Sequence, residues 1–199
     1  MLENKFYILC QNFTINSKLI ENLWKEIELS YSNKNRFYHT LLHLENIYIE
    51  LKPFALDSTI EFSIFYHDMV YDIQKGDNEE KSAVVALKHL TELGLTKRGI
   101  RQVYQLIIET KNHQASSLEN AFFLDADLSI LGKKLEVYKK YSEDIRQEYS
   151  IYSDKAYKKG RKNVLKKFLT KDRIYISDYF YNLYEEKARK NILYELKYL

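Results

Sequence analysis

A histidine and an aspartate stand side by side within an apolar stretch of the chain. The stretch is Ile64–Asp72, and the pair is His67-Asp68. An aspartate is rarely buried without a partner, because removing a carboxylate from water is costly unless a cation or hydrogen bonds compensate. The pair is therefore either a salt bridge in the core or one side of a metal site.

Other residues that can bind a metal lie far from the pair in sequence. His39 and His43 precede it and are four residues apart, so on a helix they would share one face. Asp125 and Asp127 interrupt a second apolar run, where carboxylates are costly unless they meet cations. His113 is a further candidate between these two groups.

The composition favours a helical protein that can hold such residues in a core. Gly and Pro, the main residues of turns, number only 5 and 1 among 199 residues, and 30% of the residues are charged. This length suffices for one domain with a substantial core. We predict an all-α, single-domain helical bundle over 1–199, with the metal-site core at about 36–132 and a basic helical part at 133–199.

Capping residues and apolar residues at helical spacing locate the elements that must position the candidates. The third predicted helix is apolar on almost every side, which indicates a buried central helix, and His67-Asp68 lies on it. His39 and His43 are expected on the helix before it, and we interpret His89 as structural or exposed. The first three predicted helices are 17–30, about 38–51, and one that runs from Asp57-Ser58 through His67-Asp68. The next three run from Asp77 or Asn78 to Gly94, from Thr96 to about His113, and over 122–131, where Gly132 ends the helix. From residue 136 onward the chain is predicted to be amphipathic and helical, with breaks near 153, 170–173 and 177.

Charge and cysteine content limit the classes of function. The single cysteine, Cys10, excludes an intramolecular disulfide and fits a reducing cytoplasm. No apolar run approaches the ~20 residues that cross a bilayer, and no signal peptide is recognisable. Residues 151–199 contain 13 Lys and Arg against 6 Asp and Glu. Such a basic region can face phosphate or nucleic acid, but solvated faces of amphipathic helices explain it more simply.

The ordered set of His43, His67-Asp68 and Asp127 resembles the HD-domain superfamily of metal-dependent phosphohydrolases, named for its adjacent His-Asp ligands. The resemblance covers roughly residues 20–199. Within the superfamily, the chain is similar to an uncharacterised bacterial branch of predicted hydrolases. It implies an all-α fold with a metal held between core helices, and it does not identify a substrate. The stretches that carry it are Tyr38–Leu44, Phe65–Asp72, Asp77–Ala83, Phe123–Gly132, Ile145–Tyr149, Gly160-Arg161 and Glu186–Asn191.

The resemblance also implies a set of ligands. His43 is preferred to His39 because the first histidine of the family is followed by an apolar helix. Asp127 is preferred to Asp125 because its neighbours are similar to those of the last family ligand, and both alternatives remain open. His113 is outside the minimal set and would support a second metal or contact the substrate. The implied metal ligands are His43, His67, Asp68 and Asp127.

Mixed imidazole and carboxylate ligands suit Mn, Fe, Ni, Co or Zn, whereas Mg would favour fewer histidines. Such an ion lowers the pKa of water and polarises a phosphoryl group. Asp72 and Glu80 are candidates for proton transfer or for positioning water. The cations that can neutralise phosphate charge are Lys81, Lys111, Arg146 and Arg161.

We therefore expect a cytoplasmic metal-dependent phosphohydrolase, a phosphomonoesterase or phosphodiesterase, that acts on a small phosphorylated molecule, with a nucleotide as the leading candidate. The first alternative is a non-catalytic module of the same fold that binds a nucleotide or a metal. The second is an RNA-binding protein that uses the basic, Tyr-rich C-terminal helices, although nucleic acid is the less favoured partner. The sequence predicts no membrane contact and gives no oligomeric state.

Overall fold

The computed structural model describes residues 2–199, and this part of the chain is all α-helical. It contains ten α-helices, one short 3₁₀ helix and no β-strand. The predicted all-α class is confirmed. The chain divides into two compact units, Met1–Ser116 and Ser117–Leu199. This boundary falls inside the predicted metal-site core of 36–132.

The first unit is built around one buried helix, α4. Phe62, Ile64 and Phe65 of α4 are fully buried, as its apolar pattern predicts. This helix packs against α3, α5 and α6, and its Phe65 ring lies 5.1 Å from the ring of Phe6 on α1. The helices of this unit are α1 (Leu2–Gln11), α2 (Ser17–Tyr31), α3 (Leu41–Leu51), α4 (Ser58–Tyr66), α5 (Asn78–Glu92) and α6 (Lys97–Thr110).

Several helix ends lie where the capping residues predict them. The Asp57 carboxylate accepts from the backbone N–H of Thr59 and Ile60 at the start of α4. Gly94 follows α5 with a φ of 86°, a left-handed conformation that glycine adopts without strain. The hydroxyl of Thr96 accepts from Gly99 N at the start of α6. Local sequence signals therefore set these boundaries.

Two predicted helices are too long, and both errors fall on candidate ligands. The helix expected from about residue 38 begins at Leu41, so His39 lies before it and does not share its face with His43. The helix expected to include His67-Asp68 ends at Tyr66, so His67 is its C-cap and Asp68 lies in the following turn. In both places the side chain of Arg36 binds a backbone carbonyl, that of His39 and that of Asp68.

The second unit is arranged around α10, its longest helix. α10 packs against the 3₁₀ helix, α7, α8 and α9. Gly132 closes the 3₁₀ helix where the backbone approaches Tyr184, and a Cβ at this position would lie 2.8 Å from the ring of Tyr184. The elements are α7 (Leu118–Asp127), the 3₁₀ helix (Leu128–Gly132), α8 (Leu135–Glu148), α9 (Asp154–Thr170) and α10 (Asp178–Tyr198).

No helix within residues 2–199 combines the length and apolar character needed to span a bilayer.

Candidate metal centre

Three of the predicted ligands converge in the first unit. The Nε2 atoms of His43 and His67 are 3.2 Å apart. The Oδ2 atom of Asp68 lies 3.2 Å from Nε2 of His67 and 3.8 Å from Nε2 of His43. Both histidines are buried, with 3% and 2% of their surface exposed. The three ligand atoms lie within 4.8 Å of one another, a spacing at which one ion can contact them all.

The tautomer of His67 suits metal binding through Nε2. Its Nδ1 atom lies 3.0 Å from the carbonyl oxygen of Ile64. A carbonyl can only accept, so Nδ1 carries the hydrogen and Nε2 of the neutral ring holds a lone pair. The Ile64 carbonyl is available because the last carbonyls of a helix have no partner within it. A backbone bond of this kind orients metal-binding histidines in many proteins.

Asp68 is held in its ionised form by its neighbours. Burial raises the pKa of the Asp68 carboxyl, but the positive charge that His67, His39 and His43 carry when protonated outweighs burial and lowers that pKa well below its usual range. The side chain retains 21% exposure, so the cluster has an open side. A carboxylate facing imidazole nitrogens in a buried place needs a cation or a proton among them.

Arg36 joins the two chain segments that carry the cluster. Its guanidinium donates to the carbonyl oxygens of Asp68 at 2.7 Å, Met69 at 3.0 Å and His39 at 3.2 Å, and to the hydroxyl of Ser30 at 3.1 Å. It is 9% exposed. These bonds explain why the chain is not helical at His39 and Asp68. Arg36 was not among the residues predicted from the sequence, since an arginine in a polar break carries no signal of its role.

Further side chains hold the segment that follows His67. Tyr31 of α2 accepts from the N–H of Asp68 at 3.3 Å, and Ser82 of α5 accepts from the N–H of Val70 at 2.9 Å. Asn78, the first residue of α5, accepts from the N–H of Asp72 at 3.0 Å and donates to its carbonyl at 2.9 Å. The non-helical backbone is thus satisfied by fixed partners, which preorganises the ligands.

His39 lies beside the cluster and outside it. Its ring contacts Tyr71 at 4.3 Å and Tyr38 at 4.9 Å between centroids, and it is 5.7 Å from the ring of His43. Its position favours a supporting role and leaves His43 as the histidine of the pair that joins the group.

The two aspartates of the second unit differ in environment. Asp125 is buried and accepts from Ile176 N at 2.7 Å, Ser177 N at 2.7 Å and Ser177 Oγ at 2.6 Å, which anchors the start of α10. Asp127 is the last residue of α7 and is half-buried. Its place as the fourth ligand stays a prediction.

The candidate acid–base residues lie at the surface near the start of α5. Asp72 is exposed, and its carboxylate accepts from Gln74 N at 2.9 Å. Glu80 is bound by Lys111 at 2.5 Å, and this hydrogen bond lowers the pKa of Glu80. Lys81 pairs with Asp77 at 2.9 Å. Catalytic roles for Asp72 and Glu80 stay predictions.

The remaining candidates have structural contacts. Arg146 donates to the carbonyls of Tyr149 and Tyr152 at 3.0 and 3.2 Å, as well as to Asp154 at 2.7 Å. Arg161 is buried in a two-point ion pair with Glu195, at 2.7 and 3.0 Å. These contacts fix α8, α9 and α10 within the second unit, so phosphate binding is not needed to explain either arginine.

Two further histidines lie outside the cluster. His113 follows α6 with a φ of 51° and donates its N–H to Glu109 O at 2.9 Å, closing the end of that helix. His89 is 1% exposed, and Tyr66 and Glu26 contact its two ring nitrogens at 3.2 Å each. Of the two alternatives predicted for His89, structural or exposed, its burial supports the structural one.

Comparisons with family profiles, with curated proteins and with solved structures find no match to this chain. The resemblance to the HD-domain superfamily stays a prediction.

Proposed function

We propose that this protein is a metal-dependent phosphohydrolase that acts on a small phosphorylated molecule, with a nucleotide as the leading candidate. The observation that carries the proposal is the convergence of His43 Nε2, His67 Nε2 and Asp68 Oδ2 within 4.8 Å. No other group of three or more such ligand atoms occurs within residues 2–199.

The donor set fits a transition metal. Two imidazoles and one carboxylate are the ligand types that suit Mn, Fe, Co, Ni or Zn, and Mg is the less favoured ion. The lone pair on Nε2 of His67 is already directed away from its own N–H, which is bound to Ile64.

In this proposal, the metal supplies Lewis acidity and a lowered pKa of water. The chain supplies the rest. His43, His67 and Asp68 hold the ion, and Asp127 is proposed as a fourth ligand. Arg36 keeps the carbonyls of Asp68 and His39 in place and so positions the ligands.

Asp72 and Glu80 are proposed to move a proton or to orient water. The hydrogen bond from Lys111 lowers the pKa of Glu80, so this carboxylate is ionised at neutral pH and can accept a proton. Lys81 and Lys111 are proposed to offset phosphate charge at the same end of α5, each in exchange with its present carboxylate partner.

Metal content tests the site directly. Protein purified without chelator should contain Mn, Fe, Co, Ni or Zn at close to one ion per chain. His67→Ala and Asp68→Ala should lose it, because each removes one ligand atom. His89→Gln is the matched control, since His89 is as buried as His67 and lies outside the cluster. A chain that cannot be loaded with any of these ions, or equal loss in the control, would refute the site.

Turnover tests the activity. A screen of phosphate monoesters and diesters, including nucleotides, should be run with each metal. Asp72→Asn or Glu80→Gln should keep the metal and lower the rate by at least roughly a hundredfold, the scale of acid–base catalysis. Glu92→Gln is the control, because Glu92 is an exposed carboxylate at the other end of α5. If the parent binds a nucleotide through the metal but turns over no substrate, the protein is a binding module and not an enzyme.

A further inference from the structure

The second unit contains a cavity that the proposed reaction does not use. It has a volume of about 510 Å³, within the range of small-molecule sites, and it lies among α8, α9 and the end of α10. Four tyrosines line it: Tyr138, Tyr157, Tyr194 and Tyr198. Tyrosine rings present flat apolar faces with hydrogen-bonding edges, which suits a planar aromatic ligand.

On one wall of this tyrosine cavity, the charged side chains already form ion pairs with each other. Glu195 receives the guanidinium of Arg161 at 2.7 and 3.0 Å and the hydroxyl of Tyr138 at 2.5 Å. Arg146 lies 4.8 Å from the ring centroid of Tyr157 while it pairs with Asp154 at 2.7 Å. Because these charges are compensated within the protein, they shape the cavity and do not select the charge of a ligand.

The lining charges that form no ion pair within the protein favour an anionic ligand. Lys139 and Lys158 line the cavity and form no ion pair in the described part of the chain, although Lys139 contacts the ring of Tyr194 at 4.8 Å. Both side chains are exposed, so they can reach a ligand at the opening. Glu143 is the one acidic lining residue without an ion pair among the described residues, so two lysines outside ion pairs face one such carboxylate.

We propose that the tyrosine cavity binds a small aromatic phosphate, with nucleoside 5′-monophosphates as the test class. The base stacks on tyrosine faces, Tyr194 and Tyr198 among them, whose rings are 4.7 Å apart. The phosphate lies between Lys139 and Lys158. Stacking of a base on an aromatic side chain and charge pairing of a phosphate with lysine are the two contacts that nucleotide-binding proteins combine.

The test is calorimetric titration of the full chain with AMP and UMP, with adenosine and inorganic phosphate as separate probes, at about 0.15 M salt. Each titration is repeated with a chelator present. AMP or UMP should bind with and without the chelator, and more tightly than either adenosine or phosphate. Binding that disappears with the metal would overturn the proposal and would leave the phosphohydrolase proposal standing. Absence of nucleotide binding at millimolar concentration, or equal affinity for adenosine and AMP, would also overturn it.

Variants separate this site from general charge effects. Lys158→Gln should weaken AMP binding about two- to fivefold, the scale of an exposed charge pair, while Lys155→Gln, on the same helix but outside the cavity, should not. Tyr198→Leu, which removes an aromatic face at an exposed position, should weaken binding about tenfold.

Glu143→Gln gives the sharpest result, because the direction in which it changes the affinity depends on the charge of the ligand. Removal of this carboxylate should strengthen the binding of a phosphate ligand about two- to fivefold. Weaker binding in Glu143→Gln would mean that the tyrosines and Glu143 select an organic cation, and the proposal would be wrong. Equal weakening in Lys155→Gln and Lys158→Gln would show a nonspecific charge effect and would overturn it as well.

Discussion

Replacing Arg36 by lysine should weaken both the first unit and its metal site. The guanidinium makes four hydrogen bonds, to the carbonyls of His39, Asp68 and Met69 and to the Ser30 hydroxyl. It also lies 4.8 Å from the ring centroid of Tyr31. A lysine ammonium keeps the charge, but it is a compact donor that cannot reach acceptors arranged around a planar fork.

The size of the effect follows from the number of bonds lost. Hydrogen bonds to charged groups contribute about 1.5–3 kcal/mol each, so the loss of two should lower the free energy of unfolding by about 3–6 kcal/mol. Loss of a group that orients metal ligands typically lowers metal affinity about 10- to 100-fold. Arg36→Lys should therefore remain folded in native buffer only if the free energy of unfolding of the parent exceeds this loss of about 3–6 kcal/mol.

The assay combines urea unfolding of the metal-free chain with competition against a coloured chelator. Both should be done beside Arg98→Lys, because Arg98 is an exposed arginine of the same unit, at the start of α6. The reasoning is refuted if Arg36→Lys unfolds at the urea concentration of the parent and binds metal as tightly. A loss of stability with unchanged affinity in the folded fraction would refute only the positioning role.

Three further predictions concern other parts of the chain. Burial raises the pKa of the Cys10 thiol to about 12, so a disulfide-exchange reagent at pH 8 should modify it only in denaturant. Burial lowers the pKa of His89 below its ordinary value of 6.5, so the unfolded chain binds this proton at a higher pH than the folded chain does. The free energy of unfolding should therefore fall as the pH drops below about 6.5. In urea titrations from pH 8 to 5, His89→Gln should show a smaller fall in this free energy than the parent. Gly132→Ala should destabilise the protein by about 1–3 kcal/mol because the new Cβ would collide with Tyr184. Gly160→Ala should stabilise it by up to about 1 kcal/mol, because a Cβ at this position of α9 meets open space. Equal thermal midpoints for the two variants would contradict this contrast.

Helix boundaries were predictable where the signal is local. Gly94 and Thr96 end α5 and begin α6 as their residue types predict. The boundaries at His39 and His67 were not predictable, because the Arg36 side chain binds the carbonyl of His39, three residues away, and that of Asp68, 32 residues away. Helical periodicity describes one helix at a time, so it cannot register a competing partner from another segment of the chain.

Helix α1 was missed although its sequence contains a pattern. Leu2, Phe6, Leu9 and Cys10 are buried and recur at helical spacing. The helix has ten residues and begins at Leu2, with no capping sequence described before it. A short helix without a cap signal has little intrinsic stability, and its position here comes from packing, for example of Phe6 on Phe65.

The buried carboxylates show what the sequence cannot separate and the structure can. Asp125 accepts three hydrogen bonds from N–H and O–H donors, so its charge is compensated by the protein itself. Glu195 is compensated in the same way by Arg161 and Tyr138. In sequence, these residues and Asp68 look alike, since each is an acidic residue among apolar ones.

Asp68 is the exception because of what faces it. Its Oδ2 atom lies 3.2 Å from Nε2 of His67, and the hydrogen of that ring is already committed to the Ile64 carbonyl. The second nitrogen nearby, Nε2 of His43, is itself 3.2 Å from Nε2 of His67. A neutral pair of histidines can place at most one hydrogen among these three atoms, so lone pairs face one another at hydrogen-bond distance. Only an added proton or a cation removes that repulsion, and a divalent cation does so while all three atoms remain in place. The arrangement of lone pairs, more than the His-Asp dipeptide, is therefore the physical reason to expect a metal at this position.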